Sequence, residues 1–245
     1  MRSLVLAFVF VASVLLGAIA FAPMSILARL PGVSADGLSW RHARGTIWHG
    51  QLSGIEWNGN AAGNIELQLP LLSALSGKGH DVVWVAPFGS ARANVRIRPD
   101  GVSFDNLTAT VEPSAIPGID QRLASLEGTI TLRDGAGVLD RQRCRALSGN
   151  VSTDLARQVA IRFGRDWPLL AGTLACEDGV AVAGLAGEAT DGTAINVKIG
   201  APRSLNVQVS NSGPDVTGAL QLVGFSPSPG GAELVLRAQE EATKP

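Results

Sequence analysis

The sequence predicts a mostly β protein, in which one N-terminal transmembrane helix precedes a mainly antiparallel, twisted and curved β-sheet or roll with one or two short helices. Three observations predict this class. The chain begins with a long uncharged apolar run, and it is rich in glycine, with 29 Gly among 245 residues. Apolar and polar residues alternate in many short segments that end at Asp-Gly or Asn-Gly, which are typical of tight β-turns.

The apolar run covers residues 4–22 and contains no charged side chain. At about 1.5 Å per residue, such a helix spans roughly 28 Å, close to the ~30 Å hydrocarbon thickness of a bilayer. With residues 1–3 in the cytoplasm, everything after the helix lies in the periplasm. The alternative is a signal peptide cleaved near residues 18–20, which sends the chain to the same compartment. The expected location is the bacterial inner membrane, single-pass, with the bulk of the chain in the periplasm.

Composition also divides the remaining chain. Residues 23–37 contain Pro, Gly and Ser and are predicted to be a short juxtamembrane connection. Residues 38–237 are predicted to form the periplasmic β-rich domain, as one body or as two halves, about 38–110 and 126–237. The polar tail 238–245 is expected to be disordered.

Hairpins account for most of the predicted strands. Pro99-Asp100-Gly101 is a turn in which proline fixes φ and glycine supplies a positive φ, and it separates two alternating segments. Similar hairpin patterns occur between residues 37 and 75. The other candidate strands are 93–98, 102–107, 126–132, 147–153, 173–176, 180–185, 195–199, 205–209, 216–223 and 233–236.

Helical patterns are few. Residues 114–124 and 155–164 are each predicted to form a short helix, the second with Asp154 as its N-cap and Gly164 as its stop. Both helices are expected to connect strands.

Composition and motifs argue against nucleic-acid binding and against standard enzyme chemistry. Lys and Arg number 20 against 21 Asp and Glu, so there is no broad positive field to attract nucleic acid. His42, His49 and His80 lie in no recognisable catalytic or metal-binding motif, and turn chemistry explains the Asp-Gly pairs. We therefore expect no catalytic residues, no metal site and no cofactor.

Two cysteines, Cys144 and Cys176, form no metal-binding motif. In an oxidising periplasm they are a candidate disulfide, which would close a loop of about 30 residues and stabilise the fold by roughly 3 to 4 kcal/mol in the loop-entropy model. The alternative is a pair of buried free thiols.

Arginines alternate with other residues next to the first cysteine. On a strand, Arg141, Arg143 and Arg145 share one face while Cys144 points to the other. This face either meets an acidic partner or lipid headgroups, or it is a solvated outer face opposite a buried cysteine.

A short motif near the start of the β region resembles a known family. The segment GTIWHG at 45–50, followed by Leu52, Gly54, Trp57 and the segment 63–72, is similar to the type II secretion system protein N family. That family has a single N-terminal span, a "GTVWNG"-like segment and a long glycine-rich β remainder; His49 stands where the family tends to have Asn. The motif residues are Gly45, Thr46, Ile47, Trp48 and Gly50.

The resemblance implies an accessory component of type II secretion, which moves folded periplasmic proteins across the outer membrane through protein–protein contacts and has no catalytic residues. The implied partners are other secretion components in the inner membrane and periplasm. Because an unclosed sheet has unpaired edges, we expect strand addition as one binding mode. The alternative is an AsmA-like protein, a lipid-binding or lipid-transfer β-groove anchored in the inner membrane. Nothing in the sequence recommends a third hypothesis, a periplasmic enzyme without a local motif.

Overall fold

The computed structural model describes residues 22–27, 38–46, 48–57, 59–68, 79–98, 100–115, 127–140, 143–161, 164–200, 204–222 and 224–237. The predicted transmembrane helix, apart from Ala22, and the tail 238–245 lie outside these residues. None of the helices in the described ranges has the length and apolar character needed to cross a bilayer. The chain divides into two compact units, Met1–Pro87 and Phe88–Pro245, which we call the first and second units. The domain boundaries taken from composition stay a prediction.

The described part of the first unit is a short helix with an antiparallel sheet. Strand β3 pairs with β4 on one side and with both β1 and β2 on the other, and β5 follows β4. Sequence patterns did not predict β5. The elements are α1 (Met24–Leu27), β1 (Leu38–Ser39), β2 (His42–Gly45), β3 (His49–Trp57), β4 (Asn60–Gln68) and β5 (His80–Ala86).

The first unit has a small core on one face of β3, where an irregularity in the pairing with β4 lets residues three positions apart point to the same side. Leu52 and Ile55 are buried there together with Met24 of α1. The Trp84 indole N–H donates a hydrogen bond to the Ala62 carbonyl at 2.6 Å, so the ring is held across β4 and β5. Since Met24 belongs to this core, the juxtamembrane segment is part of the folded unit at that point.

The second unit contains a larger antiparallel sheet. Its strands follow chain order from β6 to β13, after which β15 pairs with β13 and β14 lies outside β15. The elements are β6 (Gly89–Arg98), β7 (Gly101–Val111), a 3₁₀ turn (Pro113–Ala115), β8 (Ile130–Asp140), β9 (Arg143–Thr153), α2 (Leu155–Ile161), β10 (Leu170–Glu177), β11 (Val180–Glu188), β12 (Ala194–Gly200), β13 (Ser204–Ser210), α3 (Pro214–Leu222), β14 (Ser226–Ser228) and β15 (Gly231–Arg237).

The two faces of the second sheet differ because side chains alternate along each strand. One face, which we call the core face, carries Ile195, Val209 and Ala232 on paired strands, and these residues pack with residues of α2 and α3. The opposite face, which we call the polar face, carries Asn196 opposite Gln208. Burial of the core face under two helices is the main apolar contribution to this unit.

The mostly β, antiparallel part of the prediction is confirmed, since the described chain consists mainly of antiparallel strands interrupted by short helices. The predicted helix at 155–164 is α2, and its stop is also correct. Gly164 has φ +64°, and its N–H bonds to the Ile161 carbonyl at 3.1 Å, which ends the helix in the left-handed conformation that glycine allows. Within 114–124, the described residues form only the end of the 3₁₀ turn.

The prediction of a strand at 216–223 is wrong, because residues Pro214–Leu222 form α3. Proline suits the first turn of a helix, and the Gly213 carbonyl accepts the Thr217 N–H at 3.0 Å. Val216 and Leu220 are both buried against the core face. Their spacing of four residues fits one side of a helix as well as it fits one side of a strand, and the packing against the sheet selected the helix.

Candidate functional site

The family-like motif forms the turn between β2 and β3, which we call the motif hairpin (residues 45–50). The Thr46 N–H donates to the His49 carbonyl at 2.9 Å. The Thr46 hydroxyl accepts the N–H groups of Trp48 and His49 at 3.3 and 3.2 Å. A threonine at this position therefore closes the turn with its side chain as well as its backbone. Ile47 falls in a gap between the described ranges.

Both glycines of the motif are needed because other atoms lie too close to them for a side chain to fit. Gly45 has φ +83°, and a Cβ built there would lie 2.1 Å from the His49 carbonyl oxygen. A Cβ on Gly50 would lie 2.8 Å from both the Met24 Sδ atom and the Thr46 carbonyl oxygen. Any larger residue at either position would have to displace backbone atoms or the Met24 side chain.

The segment directly after the predicted membrane helix lies against this hairpin. Pro23 forms an antiparallel bridge with Thr46. Met24, the next residue, is only 1% exposed and packs over Gly50. Pro23 and Met24 therefore both pack on the motif hairpin.

The polar side chains around the hairpin are mostly exposed. His42, Arg44 and His49 are exposed. His80 begins β5, and burial lowers the pKa of its imidazole because a low-dielectric surrounding disfavours the charged form. Across the ranges that the structure covers, no three His, Cys, Asp or Glu side chains come together as possible metal ligands.

Cys144 and Cys176 form a disulfide in the second unit, with their Cα atoms 5.6 Å apart. Strands β9 and β10 pair only where Asn150–Thr153 meets Leu170–Thr173, so the cysteines lie beyond the end of that ladder. The Cys144 N–H also donates to the Gly179 carbonyl in the β10–β11 turn at 2.8 Å. The disulfide thus joins β9 to β10 where backbone pairing between them has ended.

One of the arginines beside Cys144 forms local ion pairs. Arg143 and Arg145 are exposed while Cys144 is buried, as the alternation predicts. Arg145 pairs with Asp140 at 2.5 Å and lies 3.9 Å from Asp100. Arg141 lies in one of the gaps between described ranges. Arg145 is therefore matched by two nearby carboxylates.

One edge of the second sheet is only partly covered. Strand β14 pairs with Gly231–Glu233 of β15 and reaches no further. In the part of the chain that the structure describes, no strand pairs with residues 234–237 of β15 on this side, and we call this segment the β15 edge. Sequence reasoning expected sheet edges but did not locate this one, although Pro227 was an available signal because proline is confined to edge positions in sheets.

A comparison with protein families identifies the chain. The profile described as Type II secretion system (T2SS), protein N matches residues 36–235. The chain belongs to this family. The resemblance carried by the motif hairpin is thereby confirmed, and the match also covers most of both units. Membership in the protein N family establishes the chain as a type II secretion component. Searches of curated proteins and of solved structures found no match.

Proposed function

We propose that this protein is an accessory inner-membrane component of the type II secretion system and that it acts through protein–protein contacts. Family membership supports the secretion role. The disulfide supports a periplasmic location, because such bonds persist in oxidising compartments. In this proposal residues 4–22 anchor the chain, and the motif hairpin receives Pro23 as the chain leaves the membrane.

The β15 edge is the observation that supports a function through protein–protein contacts. Pro227 has no N–H, so the residue pairs that exchange backbone hydrogen bonds between β14 and β15 are the two on either side of it, Ser226–Glu233 and Ser228–Gly231. By alternation, the backbone groups of Val235 point toward the same side, where no described strand pairs with them. Val235 is also 49% exposed. An extended segment of another secretion component can therefore add to β15 beyond β14.

Loss of the protein is expected to leave exoproteins in the periplasm. A strain that lacks the chain is compared with the same strain complemented by the parent chain, and exoprotein is measured in the periplasmic and extracellular fractions. We expect complementation by Val235→Thr, which keeps the backbone N–H, and none by Val235→Pro, which removes an outward donor at an edge. Normal secretion in the deletion strain would contradict the proposed function.

A second candidate, lipid binding, is favoured by one row of the core face. Leu174, Ala183, Ile199, Leu205 and Leu236 are cross-strand neighbours on five successive strands. None of them is fully buried, and Ile199 is 40% exposed. Such a row offers an apolar path for an acyl chain.

Native mass spectrometry of the full-length protein tests this candidate. Co-purified phospholipid is expected on the parent and on Gln208→Asp, which changes the polar face, and it is expected to be lost from Ile199→Asp. Absence of lipid from the parent, or equal lipid on both variants, would exclude the candidate.

A further inference from the structure

The polar face of the second sheet carries four arginines over β6 to β9. Arg96 is opposite Ser103, Ser103 is opposite Val138, and Val138 is opposite Ala146, so these four side chains share one face. On β9, Val151 lies on the core face, so residues 146, 148 and 150 lie on the polar face. Arg92 and Arg98 share the face of Arg96 on β6, and Arg133 is opposite Asn150.

Few carboxylates balance these arginines. Arg96 pairs with Asp105 at 2.5 Å. In the part of the chain that the structure describes, no carboxylate forms an ion pair with Arg92, Arg98 or Arg133. All three are exposed. Three exposed arginines of this face therefore have no carboxylate partner among the described residues, in a protein whose net charge is -1.

Two recesses lie along the same strand of this face. The first, of about 360 Å³, lies among Arg96, Arg98, Ser103 and the β9 residues Ala146 and Ser148. The second, of about 630 Å³, is lined by Arg133 and by β9 residues that include Asn150 and Ser152. From residue 146 to residue 152, a strand advances roughly 20 Å. This length fits an extended peptide of about six residues and exceeds the size of a phosphate or a single headgroup.

The wall of the first recess also contains an unpaired polar group. Ser103 is 7% exposed, and its hydroxyl has no hydrogen-bond partner among the described residues. A buried hydroxyl without a partner destabilises a fold, and a polar group of a bound ligand would satisfy it. Its neighbours across the ladder, Arg96 and Val138, make one side of the recess cationic and the other apolar.

We propose that this arginine-bearing recess binds an acidic, extended segment of a partner protein, with carboxylates directed to Arg98 at one end and Arg133 at the other. The inference rests on the proposed function and names the chemistry of one partner. The serine, asparagine and alanine side chains of β9 are small, which lets a backbone approach the sheet between the two arginines. Arginine suits this role because its planar group bonds carboxylates in two places at once.

Peptide binding to the full-length protein tests the proposal. The protein is reconstituted in nanodiscs of neutral phosphatidylcholine, and the probe is a fluorescein-labelled peptide of about eight alternating Glu and Ser residues. We expect the matched Gln–Ser peptide to bind at least about tenfold more weakly, and the Glu–Ser affinity to fall as salt rises. The double variant Arg98→Ala, Arg133→Ala should lose about tenfold in affinity.

Arg157→Ala is the matched control, because Arg157 is an exposed arginine on α2, the helix that packs on the opposite, core face. It should leave the affinity unchanged. Equal binding of the two peptides, or equal losses in the control and the double variant, would overturn the proposal. So would displacement of the peptide by phosphatidylglycerol vesicles that bind through the same two arginines, because that result assigns the face to lipid. These outcomes concern the recess alone, whereas the secretion assay of the deletion strain tests the proposed function.

Discussion

Replacing both Cys144 and Cys176 by serine is expected to lower the free energy of unfolding of the second unit by about 3 to 4 kcal/mol. The bond closes a loop between residues separated by 32 positions, and its loss releases that much chain entropy in the unfolded state. The effect should also be local. The β9–β10 ladder ends at the Asn150–Thr173 pair, so once the bond is gone the two cysteine-bearing segments keep the hydrogen bond from the Cys144 N–H to the Gly179 carbonyl but have no ladder between them in the described structure.

Urea unfolding followed by hydrogen-exchange mass spectrometry measures both parts of this expectation, because it resolves the two units separately. Exchange should increase most at residues 143–148 and 174–179, while β12 and β13 remain protected until global unfolding. The parent treated with a reductant should match the double variant. A double variant as stable as the oxidised parent would show that the bond makes no net contribution.

Gly45→Ala is expected to open the motif hairpin. The left-handed conformation at φ +83° costs an alanine roughly 1–2 kcal/mol, and the 2.1 Å approach of a Cβ to the His49 carbonyl adds a backbone clash. The hydrogen bond from Thr46 to that same carbonyl should break as the turn spreads. Since Pro23 and Met24 pack on the hairpin, the segment Met24–Leu27 should lose its protection from exchange as well.

Gly59→Ala is the matched control for this change. Gly59 has φ +79°, nearly the same conformation, and a Cβ there has no atom within 4 Å. The control should lose only the stability that the left-handed conformation costs an alanine, and amide exchange at Met24 and at residues 46–50 should stay slow. If both variants destabilise the first unit equally, the clash in the hairpin is not important.

Short-range patterns in the sequence were sufficient for most strands of the second unit. The alternation in Ala194–Gly200 and Ser204–Ser210 places apolar residues on one face, and such a period-two pattern is satisfied only by an extended chain with one side buried. The stop of α2 at Gly164 was equally visible, because the backbone there needs a positive φ. These features depend only on residues close together in the chain, so a local sequence pattern is enough to predict them.

Local sequence patterns did not show which tertiary contacts form the candidate sites. The motif Gly45–Gly50 was recognisable as a family feature, but nothing in its residues indicated that Gly50 is small because Met24 packs over it. The four arginines of the polar face are spread over β6 and β8, and β7 and β9 supply the recess between them. Their alignment depends on cross-strand register, which bulges at residues 105–107 and 134–135 shift by one position.

By itself, the sequence determined the β class, the turns and the chemical character of each segment, because these follow from local backbone preferences and from the alternation of apolar side chains. Only the tertiary structure decided that residues 214–222 are helical, that Cys144 meets Cys176, and which arginines share a face. Those outcomes depend on contacts between residues far apart in the chain. The free energy of such contacts is set by packing and register, which no local pattern contains.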